Sequence, residues 1–149
     1  MHKFIFIVAV VCLGALAWLY FSHTSVDQHH SSQAQSLMEH RWQWVYTEYP
    51  DTTTVAPNQT EAFGLLFELD NRLSITTDCN SMSARYALDG DLLSVAEIAS
   101  TLMYCEESQE QIFSEMVSEA YRVVVAENEL QLHLQTSGGV MYFESVAVQ

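Results

Sequence analysis

Cys79 lies in the stretch TTDCNSMSARY, residues 76–86, between Asp78 and Asn80. A cysteine so placed can be a nucleophile, a metal ligand, a redox-sensing thiol or half of a disulfide. A nucleophile needs a base. The combination on offer is Cys79 with His133 and Asn80, and no local signature of a Cys–His catalyst surrounds it. Zinc needs further nitrogen or sulfur ligands, yet His40 and His133 are the only histidines from residue 37 onward, and neither has ligand spacing to Cys79 or Cys105. A thiol switch needs a stabilised thiolate, which the acidic neighbours Asp78, Glu106 and Glu107 disfavour. Among the carboxylates, Asp89-Gly90-Asp91 is too short for a calcium loop and has the composition of a tight turn. Glu106-Glu107 precedes a helical pattern, where negative charge complements the helix dipole. No pair of acids stands out as general acid and base. The expectation is a protein that is not an enzyme, with no metal site and no cofactor.

What positions these residues begins with their compartment. Residues 4–21, FIFIVAVVCLGALAWLYF, are apolar without a break and contain Cys12. At about 1.5 Å per residue such a run approaches the thickness of a bilayer's hydrocarbon core. Lys3 precedes it and no Lys or Arg follows until Arg41, which predicts a cytoplasmic N-terminus and an external remainder. Trp18 and Tyr20 stand at the far end, where aromatic rings favour the membrane boundary. The expectation is a single-pass inner-membrane anchor over 1–21 with the C-terminal domain in the periplasm. The alternative is secretion after cleavage near Ala17, since Ala15-Leu16-Ala17 resembles a cleavage signal. Lipid attachment at Cys12 is disfavoured by the bulk of Val11 before it. Residues 22–36 are polar and read as a flexible tether, where His29 and His30 lack the fixed partners a metal needs.

Residues 37–149 then form one domain. Only Asp27 of the nineteen acidic residues lies before it, so eighteen carboxylates face four arginines (Arg41, Arg72, Arg85, Arg122) and no lysine. Such a surface repels nucleic acid, which is excluded as a partner. Alternation and turn residues predict strands at 42–49, 63–70, 73–78, 84–88, 92–95, 122–126, 130–134 and 140–146. Hairpins are expected at Asn71-Arg72, at Asp89-Gly90-Asp91, at Glu127-Asn128 and at Ser137-Gly138-Gly139. One amphipathic helix, 108–120, places Ile112, Phe113, Met116, Val117 and Ala120 on one face, with Ser108 and Gln111 spaced as a capping box. A shorter helix fits near 34–40. The fold class is α+β: a mainly antiparallel sheet of seven to eight strands with one packed amphipathic helix, preceded by the N-terminal membrane segment.

Cys79-Asn80, Ser83, Tyr86, Thr101-x-Met103-x-Cys105, Phe113 and Leu130-x-Leu132, following the aromatic strand at Trp42, together resemble the META domain family, that of heat-inducible HslJ-type bacterial envelope proteins. The resemblance spans about 37–146, with Asp78 and Ala84 where that family usually has glycine. It implies a cracked β-barrel packed on a helix, in the periplasm or on a membrane, without established catalysis. It also implies that Cys79 and Cys105 are a structural pair. The residues point the same way: outside the cytoplasm thiols oxidise, and the domain holds two cysteines once Cys12 belongs to the membrane segment. The expected function is an interaction or stress-tolerance module contacting an envelope protein, with Trp42, Trp44 and Met82 near a candidate patch or in the core. The alternative is a pilot-like carrier of lipid or another small apolar ligand inside the barrel.

Overall fold

The computed structural model describes residues 34–147. The apolar run 4–21 with Cys12, the cleavage signal at Ala17 and the His29-His30 pair lie outside the described residues. Within them no helix is long and apolar enough to cross a membrane.

Residues 34–39 are helical, α1. They lead into β1 (Arg41–Glu48), β2 (Thr54–Val55), β3 (Gly64–Glu68), β4 (Arg72–Thr76), β5 (Ser81–Asp89) and β6 (Leu92–Ser100). Then come α2 (Glu110–Ser118), β7 (Ala120–Ala126), β8 (Glu129–Leu134) and β9 (Val140–Val146). The described residues thus hold nine strands where the sequence pattern predicts seven or eight, and two helices that fall at the expected places, near 34–40 and within 108–120. The added strand, β2, is a two-residue pairing with Thr47 and Glu48, too short to alternate visibly. Strands β5 and β6 also run further than the alternation suggests, and Glu97, at φ 55°, marks an irregularity inside β6.

All neighbouring strands are antiparallel, and from β3 to β9 each pairs with the next in sequence. β1 closes the ring. It pairs with β9 along its whole length, while its other edge is shared between β3 at Arg41–Gln43 and β2 at Thr47–Glu48. A bulge at Val45, between the Trp44–Phe143 and Tyr46–Tyr142 partners, bends β1 enough to serve both. Closure is uneven. β6 and β7 share the single partner pair Leu92–Arg122, reinforced by the Val123 N–H donating to the Asp91 carbonyl at 2.8 Å and by an Arg122–Asp91 ion pair. α2 packs beside this seam, against β6 and β8.

The hairpins follow their turn residues. Gly90 takes φ 64° between the paired Asp89 and Leu92, a conformation that costs a glycine nothing. Asp70 and Asn71, at φ 60° and 62°, turn the chain between Glu68 and Arg72, and short polar side chains tolerate that region.

Side chains fill the interior. Trp42 and Trp44 are fully buried, so they belong to the core and not to a surface patch; Met82 is also buried. Phe113 of α2 is the hub of an aromatic cluster, with ring centroids 5.2 Å from Trp44, 5.1 Å from Phe63 and 6.4 Å from Phe143. Both indole N–H groups are satisfied inside: Trp44 donates to Thr47 Oγ1 at 3.1 Å, and Trp42 to the Leu37 carbonyl at 2.9 Å, which ties α1 to the barrel. Of the predicted helix face, Phe113, Met116, Val117 and Ala120 are buried while Ile112 is 39% exposed. Replacing Phe113 by Ala is therefore expected to cost about 3–5 kcal/mol. Ile112→Ala should cost less than about 1 kcal/mol, with both read from urea denaturation midpoints; equal losses would show that the helix presents a different face.

Candidate functional site

The turn between β4 and β5, residues 77–80, gathers the chemistry that the sequence singles out. Cys79 is at disulfide distance from Cys105, with Cα atoms 5.8 Å apart across a separation of 26 residues. Next to it, Asn80 is 5% exposed and its side-chain amide is fully used. Nδ2 donates to the Met103 carbonyl at 3.1 Å and to Glu110 Oε1 at 3.1 Å. Oδ1 accepts from the Met103 N–H at 2.9 Å and from the Thr101 hydroxyl at 2.6 Å. Two acceptors face the nitrogen and two donors face the oxygen, so only this orientation of the amide fits. Asn80 thus holds both backbone groups of Met103 as a neighbouring strand would.

The same turn anchors α2. Asp78 accepts from the Ser108 hydroxyl at 2.6 Å and from the Gln109 N–H at 2.9 Å, while Ser108 Oγ accepts from the Glu110 N–H at 3.0 Å. These bonds satisfy N–H groups at the start of the helix, and the carboxylate suits its positive end. The predicted capping box does not form: Gln111 reaches forward to Glu115 at 2.9 Å. Glu110 turns back instead, its Oε2 accepting from the Asn80 N–H at 2.8 Å and lying 2.9 Å from Thr77 Oγ1. Thr77 Oγ1 accepts from the Asn80 N–H at 3.0 Å and lies 2.7 Å from the Asn80 carbonyl. No buried side-chain nitrogen or oxygen among the described residues lacks a partner.

Cys-Asn and Thr-x-Met-x-Cys are therefore two halves of one contact. The META domain family model matches residues 35–147. The chain belongs to that family. The fold is similar to an NMR structure of a protein from Burkholderia xenovorans, with TM-score 0.62 and 23% identity over 76% of this chain and 86% of that one. It is also similar to the crystal structure of a DUF4847 family protein from Bacteroides vulgatus, with TM-score 0.57 and 13% identity over 76% of this chain and 96% of that one. Among curated proteins none matches the chain. Where the family usually has glycine, this META domain has Asp78 and Ala84, and neither takes a positive φ, so neither position requires glycine here. Asp78 instead uses its side chain to hold α2.

Other candidates are not brought to this site. His133 lies on β8 opposite Val140, between the buried Leu132 and Leu134, and His40 packs its ring on Trp42 at 5.5 Å. Among the described residues no group of three His, Cys, Asp or Glu could hold a metal ion. Asp89-Gly90-Asp91 is a hairpin turn whose Asp91 pairs with Arg122.

One feature escapes the sequence pattern. Between the Asn80 clamp and the bridge, Leu102, Met103 and Tyr104 are 98%, 61% and 92% exposed. Three consecutive large apolar residues without alternation are the only sequence signal for it, and that signal ordinarily means burial. Here Asn80 holds the backbone at Met103, the Thr101 N–H donates to the Ser81 carbonyl at 3.3 Å before the segment, and Cys79 holds Cys105 after it, so the side chains point outward. A cost follows for each clamp. Asn80→Ala, which strands the Met103 and Thr101 groups, is expected to destabilise by about 2–3 kcal/mol. Reduction of the Cys79–Cys105 bridge is expected to cost about 3–4 kcal/mol. Urea midpoints of the wild type with and without reductant, beside those of the variant, measure both; a variant indistinguishable from wild type would refute the clamp.

Proposed function

We propose that this META domain is a non-enzymatic interaction module of the bacterial envelope, facing the periplasm, and that the segment Leu102-Met103-Tyr104 is its contact surface. The observation that carries this reading is the exposure of three neighbouring large apolar side chains on a backbone fixed at its middle by Asn80 and on either side at Thr101 and Cys105. Exposed apolar surface is unfavourable unless it is covered in use, and pre-ordering the loop removes part of the entropy cost of binding. The cysteine pair, which persists in oxidising compartments, supports a location outside the cytoplasm, as does the charge asymmetry around residues 4–21.

A lipid carried within the barrel has less support. The space it would need is filled by Trp44, Phe63, Phe113 and Phe143, each fully buried.

The test is site-specific photo-crosslinking of the full chain in cells, with benzoylphenylalanine in place of Tyr104 and, as control, in place of Val124, an exposed residue of β7. A discrete protein adduct from position 104, missing from 124 and lost when Leu102→Ser is added, is the expected result. Equal adducts from both positions, or none from 104, would defeat the proposal.

A further inference from the structure

The charge around the exposed loop restricts what can cover it, and the following rests on the interaction reading above. Glu106 and Glu107 follow the bridge directly and are exposed. Asp78 and Glu110 lie beneath, at the start of α2. None of the four arginines belongs to the turn 77–80, to the loop 101–109 or to α2. The tip is thus apolar, its flank carries carboxylates with no arginine on the same segments, and the whole chain has a formal net charge of −14. Beside the root of the loop runs a shallow cleft of about 350 Å³, lined by Ser81, Met82, Ser83, Ala99, Ser100 and Thr101. Its outer walls are small side chains, so a rod-like partner can approach the sheet closely next to the tip.

From this we infer that the loop and cleft bind a cationic amphipathic helix, a segment with Leu-type residues on one face and Lys or Arg on the other. Its apolar face covers Leu102, Met103 and Tyr104, and its cations meet Glu106 and Glu107. An anionic membrane surface is the poorer fit: its headgroups would face the same carboxylates without any arginine between. A helical segment brings its own ordered backbone, so its hydrogen bonds need nothing from the loop, and anchors at i, i+3 and i+4 match a compact apolar tip.

The experiment uses the full chain in nanodiscs of zwitterionic phosphatidylcholine and a synthetic fluorescent fourteen-residue peptide of Leu and Lys in amphipathic helical order. Binding is read by anisotropy, with empty nanodiscs subtracted. The expected result is saturable binding that weakens at least tenfold in the double variant Leu102→Ser, Tyr104→Ser. Binding should weaken about threefold or more in Glu106→Gln, Glu107→Gln, and fall as salt is raised. A peptide with Glu in place of every Lys should not bind. If salt and the Glu variants weaken binding but the tip variant does not, attraction is diffuse electrostatics and the inference is overturned. Binding of the Glu peptide equal to that of the Lys peptide overturns it too. If neither peptide binds while Tyr104 still crosslinks a protein in cells, the cationic partner is wrong and the interaction reading stands. Preference of the loop for phosphatidylglycerol vesicles over the Lys peptide would assign the tip to the membrane and overturn the inference.

Discussion

The side-chain amide of Asn80 is the interaction on which the rest of this arrangement depends. A buried primary amide has two donor and two acceptor positions, and here all four are occupied by groups from two other segments of the chain. The four bonds are mutually exclusive with any other path for residues 101–103, because rotating the amide would set like against like. The disulfide-distance pair beside it fixes the far end of the loop, and Asp78 before it fixes the first turn of α2. A turn of four residues thus coordinates a loop and a helix that lie 21 to 33 positions away in sequence. Buried polar networks that are fully satisfied specify one arrangement more strictly than apolar packing does, since every alternative leaves a group unpaired.

That constraint explains why a β-barrel with an incomplete seam is still closed to water. The β6–β7 ladder is one pair long, and a sheet edge left so would expose backbone groups. α2 lies alongside and contributes Phe113, Met116 and Val117 to the core. Its placement is set at the N-terminus by the 77–80 turn and at the C-terminus by direct continuation into β7. The aromatic hub at Phe113 is then the packing consequence of a polar anchor made elsewhere.

Much of this was legible in residues whose meaning is local. Asp89-Gly90 marks a hairpin because glycine accepts a left-handed backbone, and the buried face of α2 is written at helical spacing. The proximity of Cys79 to Cys105 was expected from the family's motif and from there being only these two cysteines after residue 36. What could not be read is non-local. The cap on α2 comes from Asp78, 30 residues before Ser108, so the nearby Ser108–Gln111 spacing suggests a box that the tertiary structure replaces. β2 has two residues and no period. Leu102, Met103 and Tyr104 look like core by composition, and only the clamp made by Asn80 and the cysteines turns them outward. Trp42 and Trp44 are different: they alternate with half-buried residues on β1, a local pattern that already allowed the core, and they face the filled interior.

The order of the strands carries a consequence for how the chain reaches this state. From β3 to β6 and from β7 to β9 each ladder joins neighbours in sequence across a short turn, so these pairings close short loops and can form as soon as their residues exist. β1 is the exception: its full-length partner is the last strand, roughly a hundred residues later, and non-local pairings form slowly. A chain made from its N-terminus therefore has Trp42 and Trp44 synthesised long before the strand that covers them. For that interval the strand that carries both buried tryptophans of the domain has one edge open, and assembly of the barrel is a wait for its own final strand.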